Sequence, residues 1–139
     1  MPLLAELASL NPDLHTRAFW DYCAKRELRF QRCQGCGRFR SPPMPGCRHC
    51  GDARSEWVRV AGRARVFSHT TVHHPAIPQI GSDVPYSVVV LEFDDAPGAR
   101  LISNALDTPP ERVRIDQELE LVWDEPAAGV VLPRFRPVR

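Results

Sequence analysis

Four of the five cysteines form two Cys-x-x-Cys pairs, Cys33 with Cys36 and Cys47 with Cys50, inside the stretch CQGCGRFRSPPMPGCRHCG. A single tight turn lets such a pair present two sulfurs to one ion while backbone N–H groups of the turn point at the sulfurs. Gly35, Gly37, Gly46 and Gly51 permit turns of this kind. Two turns complete a tetrahedral four-sulfur set, the usual closed structural zinc site. Four thiolates fill the coordination shell, leaving no position for water or substrate, so the ion is expected to be structural. Iron in a rubredoxin-like four-sulfur site is the alternative metal. A segment of ~20 residues around such an ion has almost no apolar core. Metal binding, worth roughly 10 to 16 kcal/mol in apparent terms for zinc peptides, is what folds it. His49, between Cys47 and Cys50, is expected to face solvent.

Other residue types in the chain invite chemistry less directly. His69, His73 and His74 with Asp83 flank a Pro-rich loop. No Gly-x-Ser-x-Gly elbow, His-Glu-x-x-His pair or cysteine set beside a base accompanies them, so a polar loop is the simpler reading. Arg38 and Arg40 between the cysteine pairs, and Arg63 and Arg65 beyond them, are candidate bidentate donors to a nucleotide phosphate, or else solvated surface. The formal net charge of +1 hides an asymmetry, for residues 17–65 carry twelve Lys/Arg against four Asp/Glu, and residues 66–139 six against eleven. One part of the molecule can therefore meet phosphates or an acidic surface that the rest repels. Single-stranded nucleic acid is a weaker candidate ligand, because Glu92, Asp94 and Asp95 stand where a phosphate backbone would run along such a barrel.

The elements that must position these groups are short. At 139 residues the chain holds one modest domain, or a small module joined to one, and 43% apolar with 25% charged residues is ordinary globular usage. No apolar run approaches the roughly 18 residues of a membrane span. The start MPLLAELASLNPD lacks an export signal, so a cytoplasmic protein with reduced thiols is expected. DLHTRAFWDYCAKRELRF has apolar residues at helical spacing, with Asn11 or Asp13 as cap, and predicts an amphipathic helix of roughly three turns. Cys23 on that helix reads as a small buried apolar residue. From Trp57 the pattern turns to strands: WVRVAGRARVFSHTTV bent at Gly62, then PYSVVVLEFD, ARLISNAL, ELELVWDE and GVVLPRFRPV, with a helical-looking TPPERVRI after the third. The expected fold class is mainly β: an N-terminal segment and helix over residues 1–30, a small ribbon around the ion over 31–55, and a five-stranded barrel over 56–139. The strand order resembles an OB-fold, though periodicity alone does not separate this from an SH3-like barrel.

The runs FWDYCAKRELRFQRCQGCGRFRSPPMPGCRHC, EWVRVAGRARVFSHTTVHHP, PYSVVVLEFDD and LPRFRP together resemble the acyl-CoA-associated OB-fold family with an N-terminal rubredoxin-like zinc ribbon. Phe19-Trp20, the four cysteines, Gly62 and Phe135-Arg136-Pro137 carry the resemblance, which spans residues 16–138. It implies Cys33, Cys36, Cys47 and Cys50 as zinc ligands and no catalytic residue on this chain. It also implies a thiolase-like or lipid-transfer-type aldolase partner in a hetero-oligomer, as in steroid side-chain degradation, where a retro-aldol lyase acts on an acyl-CoA. The expected role is that of an accessory subunit in lipid metabolism, with a stand-alone acyl-CoA-binding module as alternative. Phe19, Trp20, Arg38, Phe39, Arg40, Arg63 and Arg65 are the expected contacts to the partner or to a CoA thioester. One departure is Asp116, where the family pattern has Gly before the fourth strand; Asp tolerates a left-handed turn.

Overall fold

The computed structural model describes residues 10–139, so the reading of residues 1–9 as free of an export signal lies outside the described residues. Asp13 opens the described chain by accepting hydrogen bonds from the His15 and Thr16 backbone N–H groups at 2.9 and 2.8 Å. Helix α1, Arg17–Ala24, follows and buries Phe19 and Cys23 one turn apart. The predicted three-turn helix is shorter than expected. Arg26 enters the left-handed region at φ 58°, and Leu28 and Phe30 go into the core from extended backbone. Apolar residues at 19, 23 and 30 satisfy a helical period by coincidence, while burial of Leu28 and Phe30 needs the chain to turn.

Two antiparallel sheets result. Strands β1 (Arg29–Cys33), β2 (Phe39–Arg40) and β3 (Ser55–Arg59) form a three-stranded sheet in the order β2-β1-β3. Strands β4 (Arg63–Val72), β5 (Tyr86–Glu92), β6 (Arg100–Ser103), β7 (Glu118–Ala127) and β8 (Val130–Pro137) form the second, in the order β6-β5-β4-β7-β8. A bridge between Ala105 and Phe135, with the Leu106 N–H donating to the Phe135 carbonyl at 2.7 Å, brings its ends together into the nearly closed five-stranded barrel that was expected. The helical-looking TPPERVRI is a single 3-10 turn, Pro110–Arg112. Asp116 takes the left-handed conformation at φ 65°, and its N–H reaches the Val66 carbonyl at 2.8 Å.

The run read as one long bent strand of the barrel is instead two strands in two sheets. Trp57 pairs with Gln31, and Val58 with Phe30, across β1 and β3, whereas β4 pairs with β5 and β7. Gly62 at φ 86° is the point of change, and a Cβ there would lie 2.6 Å from Leu121 Cβ. Gly62→Ala combines a left-handed L-residue with a collision against the barrel wall. It is expected to cost roughly 2–4 kcal/mol, read as a lower urea midpoint at unchanged slope.

One core underlies both sheets. Phe30 of β1 lies 4.9 Å, ring to ring, from Phe93, which lies 5.9 Å from Phe135 of β8. Leu28, Val66, Leu91 and Leu119 pack in the same cluster, with Phe19 and Cys23 of α1 against it. Burial pushes the Cys23 thiol up to about 12, which keeps it a neutral apolar group at physiological pH, as its helical position suggested. No helix of the described residues is long and apolar enough to cross a membrane.

Candidate metal centre

The two cysteine pairs sit on matching turns. In the first, the Gly37 N–H donates to the Cys33 carbonyl at 3.0 Å and the Gly35 N–H to Cys33 Sγ at 3.3 Å. In the second, the Gly51 N–H donates to the Cys47 carbonyl at 2.8 Å and the His49 N–H to Cys47 Sγ at 3.4 Å. Each turn closes at a left-handed glycine, Gly37 at φ 78° and Gly51 at φ 80°, a conformation that costs a side-chain-bearing residue roughly 1–2 kcal/mol.

These turns bring all four Sγ atoms within 4.8 Å of one another, with Cys33 to Cys50 at 3.5 Å and Cys36 to Cys47 at 3.6 Å. A tetrahedron with metal–sulfur bonds of about 2.3 Å has sulfur–sulfur edges of about 3.8 Å, so the set fits zinc with little adjustment. The electrostatics also call for a cation. The Cys36 N–H leads the groups that hold the Cys33 thiol well below its usual range, and the Cys50 and His49 N–H groups lower that of Cys47. Cys50 goes the other way. The Asp52 N–H favours its thiolate, yet the sulfurs of Cys33, Cys36 and Cys47 together with burial push it up. Four thiolates cannot share this space unless positive charge stands between them. Cys33 and Cys47 are buried, and Cys36 and Cys50 are exposed.

Arg40 holds the two turns together. It is 5% exposed and donates from Nη1 to the Met44 carbonyl at 3.2 Å and from Nη2 to the Asp52 and Arg54 carbonyls at 2.8 and 3.1 Å. Arg40, expected among the contacts to a partner or CoA, has its guanidinium turned inward onto main-chain carbonyls. Phe19, at 7% exposure, packs in the core and also lines the groove beside the ribbon. Arg63 pairs with Glu118 at 3.4 Å, and Arg65 with Asp94, on the barrel surface. Arg38 is exposed at the ribbon tip, and Phe39 is half-buried beneath the Arg32 guanidinium. His49 is exposed as expected, and so are His69, His73 and His74, along the end of β4 and the loop after it. Among the described residues the four cysteines are the cluster able to hold a metal, and the histidines join no such group.

Sequence reasoning did not foresee the cleft beside the ribbon. A largely apolar groove of about 470 Å³ lies between Trp20 of α1, the Pro42-Pro43 turn, β6 at Leu101–Ser103 and β8 at Leu132–Arg134. Its walls come from parts of the chain remote in sequence, so no local pattern announces it. The one local hint is Trp20, displaced on the helix from the buried pair Phe19 and Cys23.

Comparison with known proteins agrees with this geometry. The family described as ChsH2, rubredoxin-like zinc ribbon domain, matches residues 20–56, and ChsH2, C-terminal OB-fold domain, matches residues 57–124. The chain superposes on a chain of the solved Ltp2-ChsH2(DUF35) aldolase with a TM-score of 0.81 at 31% identity, covering 93% of this chain and 98% of that one. It is 38% identical to the probable enoyl-CoA hydratase alpha subunit of Thermomonospora curvata, over 86% of this chain and 37% of that protein. It is 33% identical to the 3-oxo-4,17-pregnadiene-20-carboxyl-CoA hydratase alpha subunit of Mycobacterium tuberculosis, over 78% of this chain and 33% of that protein. The chain thus spans about a third of the length of these two curated relatives. With its four-cysteine ribbon set on a five-stranded barrel, the chain belongs to the ChsH2 (DUF35) family of zinc-ribbon OB-fold proteins.

Proposed function

We propose that this chain is an accessory, non-catalytic subunit of a thiolase-superfamily acyl-CoA complex in the cytoplasm. Its partner would be a retro-aldol lyase that shortens a steroid or similar side chain held as a CoA thioester. The carrying observation is the match, nearly end to end on both sides, to a chain of the Ltp2-ChsH2(DUF35) aldolase. The steroid assignment draws on the relative named for a pregnadiene-carboxyl-CoA. The metal site supports an accessory role: a closed set of four thiolates offers zinc no open position, so zinc shapes the ribbon and the chemistry stays with the partner.

In this reading the subunit acts by preorganisation. A rigid ribbon and barrel hold the partner's acyl channel in its working geometry, and the exposed Arg38 contributes positive charge toward CoA phosphates. The test is coexpression with a thiolase-like protein of the kind present in the Ltp2-ChsH2(DUF35) aldolase. The two are expected to copurify, and aldol cleavage of a hydroxyacyl-CoA by the partner is expected to depend on this chain. A partner that neither binds it nor changes rate in its presence sinks the reading.

A further inference from the structure

The barrel closes at Ala105 and Phe135 but stays open along β6. Two observations fix which main-chain groups face the opening. Ser41 Oγ donates to the Arg100 carbonyl at 2.8 Å, so that carbonyl points away from β5. On the other side of the sheet, Val66 exchanges hydrogen bonds with Gln117 and Asp116, and the alternation of an antiparallel ladder then carries from β4 through β5 to β6. Both place Leu101 and Ser103 in hydrogen-bonded pairs with β5 and turn the Ile102 N–H and C=O toward the open edge. Ile102 is also 72% exposed, the most exposed large apolar side chain of the barrel strands.

This edge is one wall of the 470 Å³ groove, and β8 is the wall opposite. The charged residues lining the groove are Arg100 and Arg134. Arg100 lies over the Phe67 ring at 4.2 Å and faces Glu92 at 3.7 Å, so its charge is already met. Arg134 is 5% exposed and gives Nη1 to Asp124 at 2.8 Å, while its buried Nε and Nη2 have no partner. Buried donors left unpaired are costly, so Arg134 has unused capacity for an acceptor beside the groove. An apolar cleft with a free strand edge on one side and the under-satisfied Arg134 among its lining residues matches an extended peptide that carries apolar residues and an acidic acceptor.

We propose that the open edge of β6 takes an extended segment of the thiolase-like partner, which pairs with the Ile102 main chain as an added strand and sets an acidic side chain toward Arg134. The proposal rests on the reading of this chain as an accessory subunit and names the surface that does the docking.

Hydrogen exchange on the wild-type proteins is the first measurement. The Ile102 amide is expected to exchange fast in the isolated chain and to become protected by at least tenfold in the complex with its thiolase-like partner. Ile102→Pro removes the edge N–H without touching the β5 ladder, and Ile102→Asp places a carboxylate against the incoming acid. Each is expected to weaken the complex at least tenfold, with zinc content and thermal midpoint near wild type, while Ile102→Val binds normally. Should the proline variant misfold, the aspartate variant and the exchange data still decide. A wild-type complex with an unprotected Ile102 amide, or one that Ile102→Asp leaves intact, overturns this proposal and leaves the accessory role standing. Ile102 protection that grows with the concentration of the isolated chain assigns the edge to a second copy and also overturns it. Failure of the wild-type chain to bind the partner at all overturns both.

Discussion

Replacement of Cys33 or Cys47 by Ser is expected to take bound zinc from stoichiometric to none and to unfold the ribbon tip. Both residues are buried, and each donates one of four sulfurs that have no apolar core to fall back on. Metal binding contributes roughly 10–16 kcal/mol in apparent terms to sites of this kind, far more than the turns can supply themselves. The unfolding should stop short of the barrel. Leu28 and Phe30, at the base of the ribbon, are each 1% exposed, and Phe30 stacks 4.9 Å from Phe93, so extended backbone up to about Gln31 keeps its contacts without the ion. Amide exchange should thus rise across residues 33–54 and remain slow at Val66, Leu91 and Leu119. Binding to the proposed thiolase-like partner should be lost in the same variants, because Pro42 and Pro43 of the unfolded segment line the groove beside β6, and its survival would count against a contribution of that wall to docking.

Phe30→Ala is expected to produce the second large effect, about 3–5 kcal/mol of lost stability. Domains of this size have roughly 5–15 kcal/mol in total, so the variant sits close to unfolding. The position is sensitive because Phe30 is the fully buried ring of the metal-folded sheet in the core shared with the barrel, by way of Phe93 and Phe135. Without the ring the two sheets remain tethered at Gly62 but lose their common packing. Urea titration followed in parallel by far-UV dichroism and a zinc-release dye should give coincident transitions for the wild type and separated ones for Phe30→Ala. A loss below about 1 kcal/mol would mean that the cavity collapses and the ring is dispensable.

What could be read from the sequence follows how local each feature is. The cysteine turns are local, since sulfur spacing and the glycines after Cys36 and Cys50 encode them within a few residues, and the structure keeps all four sulfurs together. Strands β4 to β8 were legible because alternation is a property of each strand alone. Partner choice is not, and WVRVAGRARV therefore looked like one strand although β3 joins β1 and β4 joins the barrel. Gly62 was recognised as a bend, while the change of sheet at that bend depends on Leu121, remote in sequence. The arginines show the same limit. Nothing near Arg40 signals that Met44, Asp52 and Arg54 will turn their carbonyls toward it, so it looked like a surface donor when it is an internal brace. Phe19, four residues from Cys23, already had the spacing of a core residue, and both it and its neighbour Trp20 line the groove.

The Pro42-Pro43 turn beside the open edge of β6 has a consequence for how the molecule behaves in a crowded solution. A free strand edge with an exposed isoleucine invites copies of the same chain to stack on one another, the route by which soluble β-proteins aggregate. Proline has no N–H to give to a growing ladder, and Ser41 already occupies the Arg100 carbonyl next to it. What remains open is a stretch centred on Ile102, long enough for one chosen strand and too short to template a fibre.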